Sequence, residues 1–176
     1  SSSSAASDVY KRQDLLDTYY KDKAERDRVK QQASELIRRV ENELQKNRHK
    51  LKKQEKELLA TDNAEEFRQK GELLTTFLHQ VPNDQDQVTL DNYYTNQPIT
   101  IALDKALTPS QNAQRYFKRY QKLKEAVKYL TELIEETKAT ILYLESVETV
   151  LNQAGLEEIA EIREELIQTG FIRRRQ

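Results

Sequence analysis

The amino-acid sequence predicts a mainly α protein built on a long intramolecular antiparallel coiled coil. Only 3 of the 176 residues are Gly and 3 are Pro, although loops and turns depend on these residue types. Charged residues make up 34% of the chain, and this Leu-, Glu-, Lys- and Arg-rich composition is typical of long helices. Two long stretches carry apolar residues at heptad spacing, which indicates two helices that fold back along each other.

The same patterns divide the chain into five segments. We expect a small cap, made of a short helix plus a β-hairpin, at the tip of the coiled coil and a short C-terminal helix at its base. The N-terminal SSSSAAS stretch has neither the positively charged region nor the apolar region of a signal peptide, which indicates a tag-like or flexible tail. The predicted segments are a tag-like or disordered tail over 1–9, coiled-coil helix 1 over 10–60, the tip cap over 61–107, coiled-coil helix 2 over 108–154, and the base helix with a basic tail over 155–176.

The first long helix is predicted from about Gln13 to Leu59, a stretch without Gly or Pro. Its seam residues alternate steps of three and four, as in a coiled coil. Polar residues at two seam positions, Asn47 and Gln54, are expected to fix the register at a cost in stability. The seam comprises Ile37, Val40, Leu44, Asn47, Leu51, Gln54 and Leu58.

The second long helix has a sharp predicted start, because a capping Thr108 is followed by Pro109 at the first helical position and by Gln111, which can bond back. If the two helices are antiparallel with the tip near residues 60 and 110, residues whose numbers add to about 171 face each other, so Leu51 lies beside Tyr120. The second seam comprises Ala113, Tyr116, Tyr120, Leu123, Val127, Leu130, Ile134, Thr137, Ile141, Leu144, Glu148 and Leu151.

The predicted cap begins with a short helix. Asp62 and Glu65 are suited to cap its N-terminus, and it should end near His79. Gly71 inside this helix costs about 1 kcal/mol relative to Ala unless close packing requires it.

The spacing of apolar residues changes from helical periodicity to the alternation of a strand, which predicts the hairpin. Apolar and polar residues alternate over 88–90 and 99–103, and the TNQP stretch over 95–98 supplies a turn. After the second long helix, residues 156–169 form an amphipathic helix that Gly170 stops, and the next two apolar residues can fold back onto it.

Charge is unevenly distributed although the net charge is only −1. The stretches 46–56 and 115–128 each carry six Lys or Arg against one Glu. In the predicted register the two stretches coincide and form a basic collar, which suggests a phosphate-bearing partner. The alternative is a solvated face whose charges point away from one another. The candidate RNA- or partner-binding residues of the collar are Lys46, Arg48, Lys50, Lys52, Lys53, Arg115, Lys118, Arg119, Lys122 and Lys124.

Two adjacent aromatic residues, Tyr93 and Tyr94, complete the candidate set. In a strand one of them must point outward, where it could stack on an RNA base; the alternative is a purely structural role.

The sequence offers no chemistry typical of an enzyme. There is no Cys, and the two His residues are isolated from each other. Phosphate-binding Gly-rich loops, nucleophile triads and paired carboxylates are missing, so we expect no catalysis, no cofactor, no metal and no small-molecule substrate. The longest apolar runs are far shorter than the ~20 residues of a membrane-spanning helix, and we expect no membrane span.

Five ordered blocks resemble the NFACT family, in particular streptococcus-like members of its RqcH-like, fibronectin-binding branch. They are KAERDRVKQ over 23–31, GELL over 71–74, NYY over 92–94, LDKALTPSQNAQRYFKRYQKLK over 103–124 and EIREEL over 161–166. The resemblance covers residues 10 to 175 and implies the middle coiled-coil region, which the family places between an N-terminal domain and a C-terminal domain.

The resemblance implies a cytoplasmic factor of ribosome-associated quality control. Its arm would bind the rRNA and protein of an obstructed large ribosomal subunit near the stalk base, while other domains of the full protein handle alanyl-tRNA for alanine tailing of the stalled chain. The family's older name implies an alternative, an adhesin and virulence factor that binds fibronectin at the cell surface. Self-association through unused seam surface is a third possibility.

Overall fold

The protein is mainly α-helical, with one two-stranded antiparallel sheet. The structure, a computed structural model, describes residues 2–175, with side chains from Ser4 onward. The predicted fold class is confirmed. The elements are α1 (Ser2–Leu59), α2 (Ala64–Thr76), a single 3-10 turn (Leu78–Gln80), β1 (Gln87–Asn92), β2 (Gln97–Ala102), α3 (Pro109–Leu151) and α4 (Leu156–Gln168).

These elements form two compact units. The central unit comprises Lys50–Thr137 and holds the end of α1, all of α2, the hairpin and most of α3. The terminal unit comprises the described residues through His49 and from Lys138 onward.

A buried polar contact defines how α1 and α3 pair in the central unit. The Thr137 hydroxyl donates a hydrogen bond to Gln54 Oε1 at 2.8 Å, and both residues are buried. The predicted register would have placed Gln54 beside Phe117, twenty residues away along α3, or about 30 Å at 1.5 Å per residue. The two helices do pack antiparallel, but the predicted register is wrong.

The short helix α2 explains the difference, because it occupies the part of α3 that was assigned to α1. A Cβ atom on Gly71 would lie 3.1 Å from ring carbons of Phe117 and 3.2 Å from the carbonyl oxygen of Ala113. The rings of Phe67 and Tyr116 also pack, with centroids 6.1 Å apart. Gly71 therefore permits the close approach of α2 to α3.

The N-terminal cap of α2 differs from the prediction. The capping position is Asn63 rather than Asp62, and no side chain hydrogen-bonds there. Two acidic residues in the first turn, Glu65 and Glu66, interact favourably with the helix dipole instead. The helix ends at Thr76, and the 3-10 turn continues to Gln80.

The hairpin confirms the alternating pattern. Val88 pairs with Ile101 and Leu90 with Ile99, and these side chains pack in one cluster with Leu73. The turn, however, covers residues 93–96 rather than 95–98.

The start of α3 is confirmed in detail. The Thr108 N–H donates to Gln111 Oε1 at 2.9 Å, and the Gln111 N–H donates to Thr108 Oγ1 at 3.2 Å. Asn112, which no sequence pattern marks, is buried and fixes the preceding loop. Its Oδ1 accepts the Asp104 N–H at 2.8 Å, and its Nδ2 donates to the Asp104 carbonyl at 3.1 Å.

The terminal unit has its own apolar core, formed by α1, α3 and α4. As predicted, the chain turns away from α4 at Gly170, which has a positive φ of 82°. The chain then folds back, so that the Phe171 N–H donates to the Leu166 carbonyl at 2.9 Å. The buried members of this core are Leu36, Val40, Leu44, Leu144, Val147, Leu151, Ala154, Ile159, Leu166 and Ile172.

The N-terminal part of α1 carries exposed apolar side chains. Residues 2–9, predicted as a tag-like or disordered tail, are helical in the structure, and nothing in their Ser- and Ala-rich sequence breaks a helix. Residue 1 lies outside the described residues. All side chains over 4–28 are exposed, among them Val9, Tyr10, Leu15, Leu16, Tyr19 and Tyr20.

The register can be tested through its buried polar pair. Thr137→Val should lower the free energy of unfolding by about 1–3 kcal/mol, because it leaves the Gln54 amide buried without this partner. Adding Gln54→Leu should restore most of the lost free energy of unfolding. Urea unfolding followed by circular dichroism measures both values.

Thr131→Val is the matched control, because Thr131 is an exposed residue of the same helix whose hydroxyl bonds the Val127 carbonyl and, among the described residues, no other group. Equal losses for Thr131→Val and Thr137→Val would contradict the assigned role of the Gln54–Thr137 contact.

Candidate nucleic-acid interface

The first turns of α3 carry four cations on one side of the helix. Arg115, Lys118, Arg119 and Lys122 follow the spacing i, i+3, i+4 and i+7, which places them on a common face. All four are exposed, whereas Asn112, Ala113 and Tyr116 of the same stretch are buried. We call these four residues the α3 basic face.

The α3 basic face is incompletely neutralised. Within the described part of the chain, Lys118 and Lys122 lie within 4 Å of no carboxylate. Arg115 has a single partner, with 3.4 Å between its Nη1 and Asp104 Oδ2. Because all these side chains are exposed, that pair contributes little stability. The face therefore presents excess positive charge to solvent.

Arg119 is held in place by an aromatic ring. Its guanidinium carbon lies 4.4 Å from the centroid of the Phe67 ring on α2, a distance at which a cation is attracted to the ring face. Phe67 in turn packs on Tyr116, whose hydroxyl donates to the Ala102 carbonyl at 2.6 Å. Contacts between α2, β2 and α3 thus orient this arginine.

A small cavity of about 130 Å³ lies beside the two arginines. Guanidinium groups one helical turn apart can donate several hydrogen bonds to a phosphate group. The fixed position of Arg119 reduces the side-chain entropy that such binding would lose. The cavity is lined by Ala102, Leu103, Asn112, Arg115, Tyr116 and Arg119.

Lys124 lies apart from this face. Nine residues after Arg115, it falls on the opposite side of α3. Its Nζ is 5.9 Å from the centroid of the Tyr120 ring.

The predicted collar does not form. Lys50, Lys52 and Lys53 are exposed on α1, but Gln54 pairs with Thr137. This pairing places the α1 cations about 25–40 Å along the axis of α3 from the α3 basic face. The two basic stretches are therefore separate surfaces of the central unit.

The remaining collar residues, Lys46 and Arg48, belong to the terminal unit. Both are exposed and have carboxylate partners. Lys46 Nζ is 3.4 Å from Glu43 Oε1, and Arg48 Nη2 is 3.2 Å from Glu145 Oε1.

The two candidate tyrosines lie in the hairpin turn rather than in a strand, so the alternation rule does not apply to them. Both rings are partly exposed, 44% for Tyr93 and 41% for Tyr94. Both hydroxyls donate to the carboxylate of Glu72 on α2, and the Tyr93 bond is 2.8 Å long. Sequence patterns do not mark Glu72, because only the folded hairpin brings it to the turn.

The hydrogen bonds shift the acidity of these groups. Those from Tyr94 and then Tyr93 hold the pKa of the Glu72 carboxyl below its ordinary value. The bond to the Glu72 carboxylate raises the pKa of Tyr94. Arg68 lies 2.9 Å from Glu72 and also contacts Glu65.

Comparison with known proteins identifies the family of this chain. The family model described as NFACT N-terminal and middle domains matches residues 2–176. The chain belongs to the NFACT family. The resemblance found in the sequence is thereby confirmed.

Curated NFACT relatives carry the name Rqc2 homolog RqcH. A protein of Streptococcus pneumoniae serotype 2 (strain D39) is 97% identical over 163 residues, 93% of this chain and 30% of that protein. One of Bacillus subtilis (strain 168) is 45% identical over 165 residues, 93% of this chain and 29% of its own length. The chain thus spans about 30% of the length of the curated relatives it matches.

A solved structure is also similar to this chain. It is the C-terminal part of the fibronectin/fibrinogen-binding protein from Streptococcus suis, 55% identical with a TM-score of 0.59, and the match covers 84% of this chain and 46% of that one. Among the described residues, no helix is both long and apolar enough to cross a membrane.

The tyrosine–glutamate contacts predict a specific change in acidity. Glu72→Gln should lower the pKa of Tyr94, because a phenol that donates to a carboxylate is held in its protonated form, and a neutral amide holds it less. Arg68 would remain nearby and favour the phenolate. The tyrosine ring resonances, followed by NMR against pH, measure the change.

Glu66→Gln, on the same helix, provides the control, because Glu66 pairs with Lys70 instead. A Tyr94 pKa that stays the same in Glu72→Gln would show that the contact does not persist in solution.

Proposed function

We propose that this NFACT chain is the non-enzymatic coiled-coil arm of a ribosome quality control factor. The arm binds RNA of the obstructed large ribosomal subunit, near the stalk base, and thereby supports alanyl-tRNA recruitment and alanine tailing of the stalled chain in the cytoplasm. The name RqcH, shared by relatives at 97% and 45% identity, supports this assignment.

The α3 basic face is the observation that carries the RNA-binding part of the proposal. Its cations are exposed, two of them lack an anionic partner among the described residues, and Arg119 is oriented beside a cavity of about 130 Å³. Contacts of this kind to the phosphate backbone provide affinity without reading sequence. The α1 cations Lys50, Lys52 and Lys53 form a second, separate candidate surface.

Contacts to tRNA are assigned to other parts of the full-length protein. The chain corresponds to about 30% of the length of its curated relatives. The proposed role of the arm is therefore to position those parts on the subunit by a contact of its own.

Charge reversal of the α3 basic face tests the proposal. In a full-length family member that carries this segment, Lys118→Glu, Arg119→Glu and Lys122→Glu together should weaken binding to large ribosomal subunits. The slope of log affinity against log salt concentration should shrink by about 2 to 3, because each phosphate contact contributes about 0.7–0.9 to that slope. Sedimentation of labelled protein with purified subunits at several salt concentrations measures it.

The control reverses three dispersed, exposed lysines, Lys11, Lys105 and Lys138, which changes the net charge equally. It should reduce the affinity and slope much less. Both variants should keep their helical circular dichroism. Equal effects of the two variants, or unchanged binding in the first, would contradict the proposed role of the α3 basic face.

A second candidate function is fibronectin binding at the cell surface, which the name of the Streptococcus suis relative favours. Surface plasmon resonance of the chain on immobilised fibronectin and on immobilised large subunits separates the two. Saturable binding to fibronectin without binding to subunits would favour the adhesin.

A further inference from the structure

The turn of the β-hairpin exposes a pair of aromatic rings. The centroids of Tyr93 and Tyr94 are 4.9 Å apart, with 37° between the ring planes. Phe77 supports Tyr93 from the side, with centroids 6.2 Å apart. The pair is therefore a fixed aromatic surface on the central unit.

The hydroxyl ends of both rings are anchored at one carboxylate. Tyr93 and Tyr94 both donate to Glu72, which fixes the positions of the rings. A phenol ring becomes more electron-rich when its hydroxyl donates a hydrogen bond to a carboxylate. The face of an electron-rich ring attracts cations. The pair thus presents exposed aromatic surface next to an anion.

The ion pairs beside the tyrosines contain more carboxylates than cations. Glu72 and Glu65 share the single guanidinium of Arg68, so two carboxylates face one cation. The neighbouring Glu66 is matched by Lys70, with Nζ and Oε1 2.9 Å apart. A phosphate group would be repelled here, in contrast to the α3 basic face.

We propose that the surface formed by Tyr93, Tyr94 and Glu72 binds a cationic side chain of a basic protein segment. An arginine fits best, because its planar guanidinium can stack on a tyrosine ring while its N–H groups point towards the carboxylate. This inference goes beyond the proposed function, because it assigns a second surface, of opposite charge, to a protein rather than to RNA. It also replaces base stacking as the role of the two tyrosines.

An NMR titration of the 176-residue chain tests the proposal, with N-acetyl-triarginine amide as the cationic probe and hexauridylate as the RNA probe. The ring resonances of Tyr93 and Tyr94 should shift saturably with the peptide and stay unchanged with the oligonucleotide. Glu72→Gln and Tyr94→Leu should each weaken peptide binding about two- to fivefold, the range expected for one exposed cation–π contact or ion pair.

Two matched variants make the result specific. Glu66→Gln removes the same charge from α2 but should leave the affinity within twofold of the unchanged chain. Tyr94→Phe keeps the ring face and should retain more affinity than Tyr94→Leu, and it shows the contribution of the ring even if the leucine variant alters the turn. Ring shifts with hexauridylate, no saturable shift with the peptide, or equal losses for Glu66→Gln and Glu72→Gln would each overturn the proposal.

Discussion

The buried hydrogen bond between Gln54 and Thr137 determines where α1 and α3 meet. The other seam positions are mostly apolar, and apolar contacts do not distinguish one heptad alignment from the next. A polar pair does distinguish them, because any other alignment leaves the buried Gln54 amide without its partner. The ion pair between Arg48 and Glu145 in the terminal unit joins residues in nearly the same register of α1 against α3. A hydrogen bond and an ion pair therefore indicate the same alignment of the two helices.

The register determines which surfaces the central unit presents. Because α1 reaches Thr137 at Gln54, the first turns of α3 are free to pack with α2 and the hairpin. Gly71 allows the close contact, Phe67 then lies under Arg119, and Glu72 reaches the two tyrosines of the turn. The α3 basic face and the tyrosine pair therefore both depend on the placement of α2.

The features that the sequence predicted correctly are those set by local signals. The capping box at Thr108, the alternation of the hairpin and the stop at Gly170 each involve residues close together in the chain, and their patterns have few alternative structures. No local sequence pattern specifies the register of α1 against α3. The observed alignment differs from the predicted one by about three heptads, and a shift by whole heptads keeps every seam residue in the seam.

The error in register also explains the error in the candidate site. The two basic stretches overlap only in the predicted alignment of α1 and α3. In the observed alignment they lie apart, so no collar forms. The individual cations were correctly expected at the surface, since Lys and Arg are rarely buried. Glu72 and Phe67 could not be found from spacing, because their partners Tyr94 and Arg119 are distant in the chain and meet only through tertiary packing.

The most direct test of the account is the distance between α1 and two sites on α3. The chain has no Cys, so spin labels can be placed specifically by Lys56→Cys with Glu135→Cys, and by Lys56→Cys with Arg115→Cys, all at exposed positions. Double electron–electron resonance should give a short distance for the first pair, set by the interaxial spacing of about 10 Å and the reach of the labels. The second pair should be at least about 30 Å apart. The opposite order, with residue 56 closer to residue 115, would contradict the register and with it the separation of the two basic surfaces.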